Sequence, residues 1–280
     1  MEVKIAENAG FCFGVKRAMN MAWDELENKG DSQVYSLGPL IHNKQAVDKY
    51  KEKGLIEIDS LDEIPNDRKL IIRSHGVAKK IYTDSQSKNM DIVDTTCPYV
   101  KKIHDIVKEF SDKGYKIIIV GNAIHPEIIG INGWCNNEAY VINSEEEINS
   151  ISFNDNDQYC VVSQTTANLD SFDRIVEKLQ SKIENLIVKN TICFATKERQ
   201  LSAIDLANEV DCMVVIGGKH SSNTQKLVNI CKDIVPTFSI ETKEELELEK
   251  LKGFKIAGVT AGASTPDWII DEVIEYLKEI

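Results

Sequence analysis

Short apolar runs alternate along this chain with stretches in which apolar positions recur every three or four residues. The runs have the length of strands buried on both faces, and the recurring pattern is that of amphipathic helices. Strands are predicted near Val3–Ile5, Val34–Leu37, Leu55–Ile58, Leu70–Arg73, Asp91–Val93, Lys116–Val120, Ala139–Ile142, Tyr159–Val162, Leu186–Val188, Met213–Ile216, Thr237–Ile240 and Lys255–Val259. Strand patterns alternating with helical ones predict an α/β fold with mainly parallel strands. Twelve strands are many for one open sheet.

An internal repeat divides them. Ile58-Asp-Ser-Leu-Asp-Glu-Ile64 returns as Ile142-Asn-Ser-Glu-Glu-Glu-Ile148 and again as Ile240-Glu-Thr-Lys-Glu-Glu-Leu246, at intervals of 84 and 98 residues. Each reads as a strand end followed by a capping box: Ser60 with Glu63, Ser144 with Glu147, Thr242 with Glu245. Cys12, Cys97 and Cys193 keep nearly the same spacing, 85 and 96 residues. The expectation is three related α/β units, each with a mainly parallel four-stranded sheet: 14–97, 98–193, and 194–280 completed by residues 1–13. No low-complexity linker separates them, so they should pack together.

The loops after the strands repeat in the same register. The first strand of each unit leads to Gly38-Pro39-Leu40-Ile41-His42-Asn43, to Gly121-Asn122-Ala123-Ile124-His125-Pro126-Glu127, and to Gly217-Gly218-Lys219-His220-Ser221-Ser222-Asn223. The third leads to Ser74-His75-Gly76, to Ser163-Gln164-Thr165-Thr166, and to Thr260-Ala261-Gly262-Ala263-Ser264-Thr265. The fourth leads to a cysteine. In parallel α/β sheets the loops beyond the carboxyl ends of the strands carry the ligand site. Inward-turned strand ends would therefore pool three cysteines, three histidines, Glu127 and a set of hydroxyls and amides.

Each of those cysteines precedes a helical pattern. Pro98 follows Cys97, as suits a first helical position, and Tyr99, Val100, Ile103, Val107 and Phe110 fall on one face. Val15, Ala18, Met19, Ala22 and Leu26 follow Cys12, and Leu201, Ile204 and Ala207 follow Cys193. A thiol at a helix start meets the positive end of the dipole, which favours the thiolate that binds metal or attacks. The spacing fits no local ferredoxin run. Zinc with three thiolates, or an iron–sulfur cluster with one iron lacking a protein ligand, both suit it. Cys135, Cys160, Cys212 and Cys231 lie in apolar surroundings and read as core.

His42, His75 and His125 follow Gly or Ser at strand ends and could be metal ligands, acid–base groups or anion binders. His104, on a helix, reads as structural. Glu127, stiffened by Pro126, could be a first-turn dipole partner or a proton donor. Ser221, Ser222 and Asn223 open one helix, and Ser264 and Thr265 another. Such residues are ordinary caps, and they are also how a phosphate is cradled by neutral donors. No Walker A run or dinucleotide fingerprint occurs, which disfavours an ATPase or an NAD enzyme.

Composition changes this picture only at the margins. The chain has 280 residues, 42% hydrophobic and 28% charged, as an ordinary globular protein does. Its net charge of −12 disfavours nucleic acid as a partner. No apolar run is long enough for a membrane span, and MEVKIAENAG lacks the basic and apolar regions of a signal peptide, so a cytoplasmic location is expected. The seven cysteines are odd in number and scattered, which in that compartment argues against disulfides.

Together GFCFGVKRA, LGPLIHN, RSHGV, DTTCPYV, HPEIIGINGW, SQTT, TICFATKERQ, SSNTQKL and VTAGASTPDWII resemble the 4-hydroxy-3-methylbut-2-enyl diphosphate reductase family, over essentially the whole chain. The resemblance implies three pseudo-threefold-related α/β units around a central cluster. Cys12, Cys97 and Cys193 match the ligands of one 4Fe–4S cluster per chain, whose fourth iron is left for the substrate hydroxyl. His42, His75, His125, Thr165, Ser221, Ser222, Asn223 and Ser264 match the set around the diphosphate, and Glu127 matches the proton source. The family makes isopentenyl and dimethylallyl diphosphates by two-electron reductive removal of that hydroxyl as water, with ferredoxin or flavodoxin as usual electron donors. The small-molecule partner is thus an allylic diphosphate. Lys197-Glu198 replaces a more neutral pair, and His220 stands where other polar residues are common. The other readings are a thiolate-metal lyase or hydrolase on a phosphorylated substrate, a quinolinate-synthase-like iron–sulfur enzyme, and a non-catalytic sensor.

Overall fold

The computed structural model describes residues 1–279, and of Leu248 the backbone alone. The strands are β1 (Glu2–Ile5), β2 (Val34–Leu37), β3 (Leu55–Ile58), β4 (Lys69–Ile72), β5 (Asp91–Asp94), β6 (Lys116–Val120), β7 (Tyr140–Ile142), β8 (Tyr159–Ser163), β9 (Leu186–Val188), β10 (Cys212–Ile216), β11 (Thr237–Ile240) and β12 (Ile256–Ala261). All of the expected strands are present, within about two residues of their expected ends. The α-helices are α1 (Phe13–Glu27), α2 (Lys44–Glu52), α3 (Lys79–Ser87), α4 (Pro98–Asp112), α5 (Pro126–Asn132), α6 (Leu169–Gln180), α7 (Phe194–Ala207), α8 (Ser222–Lys232), α9 (Leu248–Leu251) and α10 (Asp267–Lys278).

Three four-stranded parallel sheets result, ordered β3-β2-β4-β5, β7-β6-β8-β9 and β11-β10-β12-β1. The order is the same in each, and β1, pairing Val3 with Ala257, takes the fourth place in the last sheet. This is the expected completion of the third sheet by the N-terminal strand.

Central strands are mostly apolar because both faces are covered. In β10, Cys212, Val214 and Ile216 pack with Ile269, Ile270, Val273 and Leu277 of α10. Met213 and Val215, pointing the other way, pack with Ala203 and Leu206 of α7 and Leu227 and Cys231 of α8. Likewise Ile118 and Val120 of β6 meet Phe172, Ile175 and Leu179 of α6. Ile117 and Ile119 meet Ile103 and Val107 of α4 and Ile128 and Ile131 of α5.

By contacts the chain forms two compact units: Met1–Lys16 with Ile41–Glu52 and Phe194–Ile280, and Arg17–Leu40 with Lys53–Cys193. The first holds one sheet and the second holds two. Helix α2 belongs to the first although its flanking strands belong to the second, and Lys49 Nζ lies 3.6 Å from the centre of the Trp268 ring on α10.

Three local expectations need correction. Tyr99, in the first turn of α4, is exposed, while Val100, Ile103, Val107 and Phe110 are buried. Leu201 is exposed too, and α7 buries Ala203, Leu206 and Ala207 instead. Of the capping boxes only Ser60–Glu63 is complete. Glu147 and Glu245 still reach back, to the amides of Asn143 and Glu241. The Ser144 and Thr242 hydroxyls are taken by the carboxylates of Glu146 and Glu244, which lowers those carboxyl pKa values.

Candidate active site

The seven cysteines sort into two groups. Cys12, Cys97 and Cys193 are half-buried and stand immediately before α1, α4 and α7. Cys97 is the N-cap of α4, with Pro98 at the first helical position. Cys135, Cys160, Cys212 and Cys231 are buried, and burial pushes their thiols up to about 11, 12, 11 and 11. The second group is held in its neutral form by its surroundings, as the core reading expects. None of the three helices that follow the first group has an acidic residue in its first turn, the usual place for one.

The second unit brings six of the expected site residues into linked positions. Glu127, in the first turn of α5, is 3% exposed. Its Oε1 accepts from the Thr165 backbone N–H at 2.6 Å and its Oε2 from the Thr165 hydroxyl at 2.7 Å. The Thr165 carbonyl accepts from the Cys193 N–H at 2.8 Å. His125 caps α5 with Nδ1 accepting from the Glu127 N–H at 3.1 Å, so a neutral His125 carries its proton on Nε2. The His75 ring stands edge-on to it, centroids 5.7 Å apart. The Cys97 N–H donates to the Ser74 carbonyl at 2.9 Å, next to His75.

The first unit gathers the other six. The Cys12 N–H donates to the Ala263 carbonyl, and the Ser264 hydroxyl donates to the His42 carbonyl at 3.1 Å. Gly218 approaches the same carbonyl so closely that a Cβ there would lie 2.6 Å from it. Ser221 caps α8, accepting from the Thr224 N–H, and Ser222 and Asn223 follow in the first turn. Asn223 is buried, yet among the described residues neither its Oδ1 nor its Nδ2 has a hydrogen-bond partner. A buried amide in that state costs free energy until something fills it. His220 is exposed. Among the described residues no three His, Cys, Asp or Glu side chains are gathered closely enough to hold a metal ion. Cys12 belongs to one unit and Cys97 and Cys193 to the other.

A family model described as LytB protein matches residues 3–278. The chain belongs to the LytB protein family. The 4-hydroxy-3-methylbut-2-enyl diphosphate reductase of Clostridioides difficile (strain 630) is 59% identical over 280 residues, all of both chains. That of Caldanaerobacter subterraneus subsp. tengcongensis is 50% identical over 283 residues, 100% of this chain and 98% of its own. Among solved structures, an (E)-4-hydroxy-3-methyl-but-2-enyl diphosphate reductase, described as the terminal enzyme of the non-mevalonate pathway, superposes with a TM-score of 0.75 at 41% identity, covering 100% and 99% of the two chains. The E-1-hydroxy-2-methyl-but-2-enyl-4-diphosphate reductase from Plasmodium falciparum superposes with a TM-score of 0.93 at 28% identity, covering 99% and 88%. As a LytB protein the chain is an enzyme, an oxidoreductase.

Two arginines of this LytB chain escaped the sequence analysis. Arg199 is buried on α7, and its Nη2 donates to the Gly10 carbonyl at 2.8 Å, two residues before Cys12. Arg17 donates to the Thr96 carbonyl, one residue before Cys97. Arg199 left a legible sign: it shares the apolar face of α7 with Ala203, Leu206 and Ala207. Arg17 left none. Among the described residues no helix is long and apolar enough to cross a membrane.

Proposed function

We propose that this chain reductively removes the hydroxyl of (E)-4-hydroxy-3-methylbut-2-enyl diphosphate, giving isopentenyl and dimethylallyl diphosphates, in the cytoplasm. Cys12, Cys97 and Cys193 hold one 4Fe–4S cluster per chain. The donor set suits it: these are the three thiols placed at helix starts and not sealed in the core. Bound there, the cluster supplies electrons and a Lewis-acid iron for the C–O bond.

The protein's own groups bind the substrate and move the proton. His42, His75, His125, Thr165, Ser221, Ser222, Asn223 and Ser264 take the diphosphate, mostly by neutral donors. The buried amide of Asn223 supports this, having no hydrogen-bond partner among the described residues. The hydroxyl leaves as water, so a proton must reach it. Glu127 delivers it. What carries the reading is the hydrogen-bonded chain from Glu127 through Thr165 to Cys193, which fixes a carboxyl one peptide link from a candidate ligand.

Electrons arrive from a small acidic carrier of the ferredoxin or flavodoxin type. Exposed Lys16, Lys102 and Lys197, each within five residues of a site cysteine in an otherwise acidic chain, support such docking.

The decisive experiment is anaerobic turnover of the allylic diphosphate with a chemical reductant, beside iron and sulfide analysis. A brown protein that forms both products is expected. A colourless, zinc-loaded or inactive protein would overturn the reading. A second expectation is that Asn223→Ala weakens inorganic diphosphate binding roughly tenfold without lowering Tm, since the amide contributes no internal hydrogen bond to lose. Calorimetric titration and thermal unfolding check it.

A further inference from the structure

The loop that carries His75 lies flat against α5, and the fit is made by missing side chains. A Cβ on Gly133, just past α5, would stand 2.2 Å from the Ala78 Cβ, and one on Gly130 would stand 3.4 Å from the Gly76 carbonyl. Gly76 itself has a φ of +71°, which favours glycine, and a Cβ there would lie 2.5 Å from His104 Cε1. So the chain between His75 and Ala78 packs tightly against both α5 and His104.

Two aromatic rings complete this packing. His104, buried on α4, stacks on Trp134 with centroids 5.1 Å apart and planes 18° from parallel. The Trp134 Nε1–H donates to the Val77 carbonyl at 3.0 Å, two residues beyond His75. His104 Nε2 is buried with no hydrogen-bond partner among the described residues. Burial pushes the ring down to about 4, so it is neutral near pH 7 and packs as an uncharged plate. Asp94 and Lys101 are the charged groups that act on it.

The geometry reaches the site because α5 is short. Trp134 follows its C-terminal end, and His125 and Glu127 stand at its N-terminal end, two turns away. His75 meets His125 edge-on at 5.7 Å. One bond, from Trp134 to Val77, thus ties the His75 loop to the body that carries His125 and Glu127.

We propose that Trp134 and His104 are positioning residues that hold His75 in register with His125 and thereby set the affinity for the substrate's diphosphate. This rests on the reading that those two histidines meet the diphosphate. Neither positioning residue touches substrate.

The test uses the full chain, anaerobically reconstituted, with inorganic diphosphate as the calorimetric probe and the allylic diphosphate for kinetics. Trp134→Phe keeps a ring against His104 and removes the donor to Val77. It should weaken diphosphate binding and raise KM together, by roughly fivefold to tenfold, the equivalent of one net hydrogen bond. Expected kcat and iron content stay within about twofold, since the groups that move the proton are unchanged. His104→Gln, which removes the stack, carries the same expectation. A purely structural pair would lower Tm and leave KM and diphosphate affinity as they are, and that result overturns the proposal. So does unfolding of both variants, which would assign the pair to the core. Absence of diphosphate binding by the parent protein would take down the site reading itself, and is seen before any variant is made.

Discussion

Glu127→Gln is expected to lower turnover by about 100-fold or more while leaving iron content, diphosphate affinity and Tm near those of the parent. A positioned general acid contributes on the order of 100-fold to 10,000-fold, and an amide has no proton to give at neutral pH. The substitution is close to isosteric, and Thr165 decides which way the amide sits. The Thr165 N–H donates to Oε1, so the amide oxygen must stay there; the amide nitrogen takes the place of Oε2. There it faces the Thr165 hydroxyl, which can turn from donor to acceptor and keep the contact. The chain from residue 127 to Cys193 then survives with only its acid removed. Single-turnover kinetics with a reduced sample read the chemical step, and calorimetry with inorganic diphosphate reads the binding. Turnover within about twofold of the parent would remove Glu127 from proton delivery and leave the fold and family untouched.

Much of this was legible in the sequence, for identifiable reasons. Strands such as β10 show as unbroken apolar runs because parallel strands are covered on both faces. That the opening strand completes the third sheet followed from counting four strands per repeat; its pairing with β12 did not. The placement of the cysteines was legible too: Cys135, Cys160, Cys212 and Cys231 are buried, and Cys12, Cys97 and Cys193 stand at helix starts. What stayed hidden depends on contacts between distant segments. Nothing near Lys49 announces that α2 packs by Trp268. Glu127 and Thr165 are 38 residues apart, and their shared bonds exist only because the start of α5 meets the loop that follows β8. Tyr99 and Leu201 fit a helical period yet face solvent, since a period of 3.6 marks a face and not how far that face extends. Trp134 and His104 gave no sign of their partnership, a direct ring stack between α4 and a residue just past the end of α5.

Serine substitution should separate the two kinds of cysteine as sharply as any measurement on this protein. Cys97→Ser replaces a soft thiolate with a harder oxygen that ionises poorly, at a position whose backbone is held by the bond from its N–H to Ser74. The fold should therefore persist while iron and sulfide fall well below the parent, and activity should drop more than about 100-fold, beyond what loss of an outer partner of a metal site costs. Cys12→Ser and Cys193→Ser carry the same expectation. Cys231→Ala should do the reverse. That thiol is fully buried between α8 and its sheet, so its loss opens a small cavity and lowers Tm by a few degrees with iron content intact. Iron analysis, visible absorption and thermal unfolding on all four variants read both effects. Retention of full iron in any one of the three serine variants would strike that residue from the ligand set. Loss of iron in Cys231→Ala would mean that burial, which separates the two groups here, does not decide which sulfurs bind.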